Sequence, residues 1–151
     1  MTVFCCQINS QSIQREILYR LLRSRHGALL QTIATAGGQG HRTAKAVAWL
    51  RTNYARPLRV EELARETGMG VSTLHHHFRA LTAMSPVQYQ ERLRLHMARE
   101  RMLQTQEDMA STAYAVGYES LSQFNREYSR LFGQPPRRDI LALRKRLATA
   151  E

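Results

Sequence analysis

Two sets of polar and basic side chains recur at helical spacing. Ser72, His75, His76 and Arg79 fall at i, i+3, i+4 and i+7, with Thr73 beside them. Ser122, Asn125, Arg126 and Ser129 repeat the spacing, with Gln123 beside them. Side chains of these types read base edges in nucleic acid or hold its phosphates. Neither set contains an acid, although Glu127 flanks the second. Arg126 is the strongest single candidate for base recognition, because a guanidinium can grip guanine with two parallel hydrogen bonds; the plainer alternative is a phosphate clamp. His76 stands where Arg126 stands in the other set. An imidazolium held against phosphate makes affinity fall as pH rises and the charge is lost.

The run His75-His76-His77 invites a metal, but successive helical residues point about 100° apart and cannot converge on one ion. His75 and His76 face outward in this reading, and His77 packs at the core edge. No metal and no cofactor are expected. Catalysis finds no support either. The chain has no Gly-x-Ser-x-Gly, no His-Glu-x-x-His and no carboxylate pair on a shared face.

The elements that must position the two sets emerge from a repeat. Ala64-x-x-x-Gly68 returns as Ala113-x-x-x-Gly117 at an offset of 49 residues. Past the glycine the offset becomes 50: Leu74, Phe78 and Leu81 match Phe124, Tyr128 and Leu131, and Pro86 matches Pro136. Each copy predicts a short helix (about 61–67 and 109–116) with an inward alanine, then a turn needing positive φ, then a longer helix. That is the helix-turn-helix pattern, whose second helix enters the DNA major groove. An ordinary helical hairpin repeat for protein binding is the alternative, and the acid-free polar faces argue against it.

Between the copies, Ser85-Pro86-Val87-Gln88 forms a capping box with proline at the first helical position. The helix it starts runs to about Leu103, with Leu95, Ala98 and Met102 on one stripe. Eighteen residues span roughly 27 Å, near the ~34 Å of one DNA turn, so this helix can set two recognition helices into successive major grooves. Arg92, Arg94, Arg99 and Arg101 read as its solvated face, with some reaching phosphates. Trp49, Phe78, Phe124, Tyr128 and Phe132 read as core.

Composition bounds the rest. The chain has 151 residues and a formal net charge of +10, of which residues 1–40 carry +3 and 41–151 carry +7. Such a balance suits a polyanionic partner, and apolar content of 43% supports a folded core. Cys5 and Cys6 are adjacent and match no metal-site spacing, which suits a reduced, cytosolic protein. No apolar run approaches the ~18 residues of a membrane span, and no secretory signal pattern opens the chain. Residues 10–34 read as helical through Ile13, Ile17 and Leu21. Thr35 to Gly40 reads as a linker rather than a phosphate loop, since no Gly-Lys-Ser/Thr follows. A further helix covers Thr43–Tyr54, with Pro57 ending that element. Strand signals are absent, so the expected fold is all-α. It comprises a helical segment with linker over 1–40 and two helix-turn-helix units joined by a long helix over 41–151.

Residues 42–142 resemble the DNA-binding domain of AraC/XylS-type bacterial transcription regulators. The resemblance rests on Leu58-Arg-Val-Glu-Glu-Leu-Ala64, Leu74-His-His-His-Phe78, Ser85-Pro86, Gly117-Tyr118-Glu119-Ser120, Phe124-x-x-x-Tyr128 and Phe132-Gly133-Gln134-Pro135-Pro136. It implies seven helices, sequence-specific promoter binding to double-stranded DNA, RNA polymerase as a partner, and a place in the bacterial cytoplasm at the nucleoid. It also implies that the domain follows a sensing or dimerising domain. Arg15–Leu22 and Gly27–Leu30 resemble the last helices of such a sensor, and the β-barrel part expected before them is absent. The chain thus reads as a truncated regulator able to form a homodimer or heterodimer through residues 10–34. Two rivals stand beside this reading: an interaction protein that pairs with full-length regulators, and a sequence-blind nucleic-acid coat.

Two departures from the family pattern bear on stability. Gly70 stands where relatives place a capping serine, at a cost of a few tenths of a kcal/mol. Ala83 replaces the glycine that ends the first recognition helix, and left-handed geometry at alanine costs roughly 1 kcal/mol.

Overall fold

The computed structural model describes residues 38–105 and 107–149, and every regular element among them is helical. Helix α1 spans Gln39–Asn53, α2 Val60–Thr67, α3 Val71–Thr82, α4 Pro86–Gln104, α5 Met109–Ala115, α6 Leu121–Phe132 and α7 Pro136–Ala148. The expected helices over 10–34 and the pair Cys5, Cys6 lie outside the described residues. Helix α1 begins four residues before the expected Thr43 and takes in Gly40, which the sequence reading assigned to a linker. One glycine in a first turn costs about 1 kcal/mol. That is too little to stop a helix whose later turns bury Ala46 and Leu50 completely.

Local chemistry sets most helix ends. Glu61 and Glu62 complement the N-terminal dipole of α2, and Gly68, at φ 65°, ends it. The Lys45 ammonium caps the same end by donating to the Glu66 carbonyl at 2.6 Å. Ser85 and Gln88 close the expected capping box of α4: Ser85 Oγ accepts the Gln88 N–H at 3.2 Å, and Gln88 Oε1 accepts the Ser85 N–H at 3.0 Å. Asp108 caps α5 by accepting the N–H groups of Ala110 and Ser111 at 2.8 and 3.0 Å. At the far end of α4, Arg144 donates to the carbonyls of Met102 and Thr105 at 2.6 and 2.9 Å, a cation at a helix C-terminus.

Residues 45–151 form one compact unit holding two small cores. The first gathers Ala46 and Leu50 of α1, Leu63 and Ala64 of α2, and Leu74 and Phe78 of α3. The second gathers Leu95, Ala98 and Met102 of α4, Ala113 of α5, Phe124 and Tyr128 of α6, and Ile140 of α7. The inward alanines Ala64 and Ala113 are 3% and 0% exposed, so each short helix approaches its longer neighbour as the repeat requires. Helix α4 serves both cores: its Tyr89 packs edge-to-face on Phe78 at 5.5 Å, and its later turns fill the second.

A polar junction joins the segment after α1 to α4. Gln90 Nε2 donates to the carbonyls of Tyr54 and Arg56 at 3.0 and 2.8 Å. Arg94 Nε donates to the Tyr54 carbonyl at 2.7 Å, and its Nη2 to that of Arg56 at 2.9 Å. The chain leaving α1 is thereby tied to the middle of α4. Burial holds the Arg94 guanidinium below its ordinary pKa, with Tyr118, Glu91 and Glu127 pulling it back up.

The arginines of α4 depart from the sequence reading. Arg94 clamps backbone carbonyls. Arg99 forms a bidentate pair with Asp139, at 2.7 and 2.9 Å, and lies over the Phe132 ring at 4.3 Å. Arg101 pairs with Glu107 at 2.6 and 2.9 Å. Only Arg92 remains an exposed cation of the expected kind. Helical periodicity located these residues on the outer faces of α4, but the segment after α1, helix α7 and the α4–α5 turn supply acceptors to three of them.

Candidate nucleic-acid interface

The longer helix of each repeated unit, α3 and α6, has different ends in the two copies. Helix α3 starts from Gly70, which offers no side-chain cap, and ends at Ala83 with φ 59°. Helix α6 starts from Ser120, whose hydroxyl accepts the Gln123 N–H at 3.4 Å, and ends at Gly133 with φ 78°. The first unit therefore carries both local penalties that the second avoids. Ala83 is the only non-glycine residue with positive φ among those described.

On α3, Leu74 and Phe78 are wholly buried, which turns Ser72, His76 and Arg79 to the exposed side and leaves Thr73 and His75 half-buried. His77 is half-buried, and its ring meets that of His76 edge-to-face at 5.2 Å. On α6, burial of Phe124 and Tyr128 leaves Ser122, Gln123 and Arg126 exposed and Asn125 and Ser129 half-buried. The Ser129 hydroxyl donates to the Asn125 carbonyl of its own helix at 2.7 Å, leaving its oxygen only as an acceptor. The Asn125 Oδ1 is buried without a hydrogen-bond partner.

The two helices share a cleft of about 560 Å³, to which α3 contributes Arg79, α4 contributes Glu91 and Arg92, and α6 contributes Glu127 and Arg130. Of the two sequence sets only Arg79 lines this concavity; the α6 side of it is formed by Glu127, Arg130 and Leu131. Arg130 was not singled out from the sequence; its place one residue past Ser129 on the helix gave no face signal.

Glu127 was placed only as a flanking acid. The structure makes it a hub: its Oε2 accepts the Tyr118 hydroxyl at 2.8 Å and its Oε1 accepts from Gln123 Nε2 at 3.0 Å. Burial, then this carboxylate, push the Tyr118 phenol well above the ordinary tyrosine range. The i, i+4 spacing of Gln123 and Glu127 was legible in the sequence. Tyr118 was not, because it lies in the turn before α6.

Beneath α6, a second network holds the helix in place. The buried Asp139 carboxylate accepts from Arg99, from the Tyr128 hydroxyl at 2.7 Å and from Gln134 at 2.9 Å. Burial alone raises the pKa of Asp139, but hydrogen bonds from Arg99, Tyr128 and Gln134 outweigh it and hold the group below its ordinary value. No helix among the described residues is long and apolar enough to cross a membrane.

Comparison with known proteins places this geometry. A family profile described as a helix-turn-helix domain matches residues 63–139. The HTH-type transcriptional activator RhaS of Pectobacterium carotovorum is 28% identical over 103 residues, covering 68% of this chain and 37% of that protein. RhaS of Yersinia pestis (strain Pestoides F) is 33% identical over 89 residues, covering 59% and 33%. The chain spans about a third of the length of these curated relatives. Among solved structures, an AraC-type transcriptional regulator from Chromobacterium violaceum matches with a TM-score of 0.66 at 28% identity, over 73% of this chain and 96% of that one. The DNA-binding domain of the global transcriptional factor AdpA, solved in complex with a target DNA, matches with a TM-score of 0.64 at 26% identity, over 69% and 94%. With two helix-turn-helix units, a shared linker helix and these matches, the chain belongs to the AraC-type helix-turn-helix family of transcription regulators.

Proposed function

We propose that the chain is a sequence-specific DNA-binding transcription regulator that sets α3 and α6 into successive major grooves on one face of double-stranded DNA. The observation that carries this reading is the repeated exposure: burial of Leu74 and Phe78 on α3, and of Phe124 and Tyr128 on α6, leaves Ser72, His76 and Arg79 exposed on the one helix and Ser122, Gln123 and Arg126 on the other. Helix α4 has 19 residues, roughly 28 Å of rise, which suits the ~34 Å spacing of adjacent major grooves. In this reading Ser72, Thr73, His75, His76 and Arg79 serve the first groove, and Ser122, Gln123, Asn125, Arg126 and Ser129 the second. Arg92 and Arg130 approach the phosphates between them, supplying charge rather than sequence. Contact with RNA polymerase, residence at the nucleoid and pairing of chains through residues 10–34 belong to the same proposal.

The test is titration of random and selected DNA at two salt concentrations. Strong preference for one site of about 20 base pairs is the expected result. A salt-steep but sequence-blind response indicates a non-specific coat and overturns the proposal. Binding to a homologous regulator with no affinity for DNA overturns it in favour of an interaction protein.

A further inference from the structure

Glu127 is the only acid on α6, and it lies on the helix edge next to the proposed base-reading side chains. A carboxylate there repels phosphates and lowers affinity for every DNA sequence alike. Its hydrogen bonds show what it adds. Tyr118 holds one oxygen at 2.8 Å and Gln123 Nε2 approaches the other at 3.0 Å, so neither oxygen is left to solvent alone. An ionised carboxylate can only accept, which obliges Gln123 to turn its amino group toward Glu127. The glutamine carboxamide is therefore not a free rotor. It keeps its Oε1 and one remaining N–H for a ligand. An acceptor beside a donor complements adenine in the major groove, which offers an N6 donor beside the N7 acceptor.

We infer that Glu127 and Tyr118 are positioning residues that orient the Gln123 carboxamide to read one A·T base pair. The inference rests on the DNA-binding reading above and deepens it at the second recognition helix. Glu127 fixes which end of the amide faces the DNA, and Tyr118 fixes Glu127. Without them Gln123 samples its rotamers and offers donor or acceptor to any base. The loss then falls on discrimination at one base pair rather than on binding as a whole.

The test uses the full chain and a DNA panel in which each base pair of its selected site is varied in turn. Wild type is expected to favour A·T at one pair by about tenfold, and Gln123→Ala to abolish that preference. Glu127→Leu is expected to cut it below about threefold at the same pair while leaving the others unchanged. Glu127→Gln turns one of the two accepting oxygens into a donor, and is expected to weaken the preference at that pair while binding all sequences more tightly at low salt. An undiminished preference counts against the inference. A Glu127→Leu protein that keeps the tenfold preference, or loses discrimination at every pair equally, overturns the inference. If thermal melting shows that variant unfolded, Tyr118→Phe decides instead: at least a threefold loss at that pair supports the inference, and no change overturns it. A wild type without preference at any pair refutes the DNA-reading proposal itself, which separates the two failures.

Discussion

Gly117 lies against Ala55 so closely that a Cβ on Gly117 would overlap the Ala55 carbonyl oxygen. The glycine also sits at φ 95°, so the second helix-turn-helix turn needs a residue without a side chain on two independent grounds. Ala55 belongs to the segment whose neighbouring carbonyls are held by Gln90 and Arg94. The end of α1, the middle of α4 and the α5–α6 turn therefore meet at one point.

Gly117→Ala is expected to destabilise the protein by on the order of 3 kcal/mol, from left-handed strain plus backbone overlap. Gly68→Ala, at φ 65° with no atom within 4 Å of the added carbon, carries strain alone and is expected to cost about 1 kcal/mol. Urea denaturation of the two variants side by side checks the difference; equal costs would show that the Ala55 contact is not restrictive.

Ala83→Gly is expected to stabilise the protein by about 1 kcal/mol, because alanine occupies left-handed geometry at φ 59° while its counterpart Gly133 is already glycine. The melting temperature should rise by a few degrees. No rise, or a fall, would mean that the flexibility gained by the unfolded chain outweighs the relieved strain.

Asp139→Asn is expected to cost on the order of 3 kcal/mol, since it leaves Arg99 and Tyr128 without their charged acceptor. The wild-type stability has a matching pH dependence. The folded pKa of Asp139 lies below its ordinary 3.8, so its contribution is fully present above the unfolded value and is lost as pH falls through the folded one. Denaturant midpoints measured from pH 6 down to pH 2 should fall less steeply for Asp139→Asn than for wild type. Parallel curves would remove Asp139 as the source.

Arg126→Ala and Arg92→Ala separate base reading from phosphate affinity. Arg126→Ala is expected to relax preference at a single guanine by about 1 to 3 kcal/mol. Arg92→Ala is expected to weaken all sequences alike and reduce the salt slope by about one. Uniform weakening by Arg126→Ala would reassign it to a phosphate.

The features legible in the sequence are those settled within a turn or two of chain. Gly68 and Gly117 take the positive φ that the repeat demands, and Ala83 and Gly133 take the left-handed geometry that the family pattern implies. Ser85 and Gln88 close their capping box because both partners lie on one turn. The buried stripes of α3, α4 and α6 follow from 3.6-residue periodicity, and the outward set Ser72, His76, Arg79, Ser122, Gln123 and Arg126 follows by exclusion. Tertiary structure decided the fate of charges whose partners are distant in sequence. Arg94 and Arg99 look alike on a helical projection, yet one grips carbonyls 38 to 40 residues upstream and the other a carboxylate 40 residues downstream. Neither pairing has a local signature, because an arginine is satisfied by whatever acceptor the packing of other helices brings within 3 Å or so. Likewise the sequence marked Glu127 only as an acid beside a recognition face. The turn that carries Tyr118 back to it, nine residues apart, made it part of how that face is held.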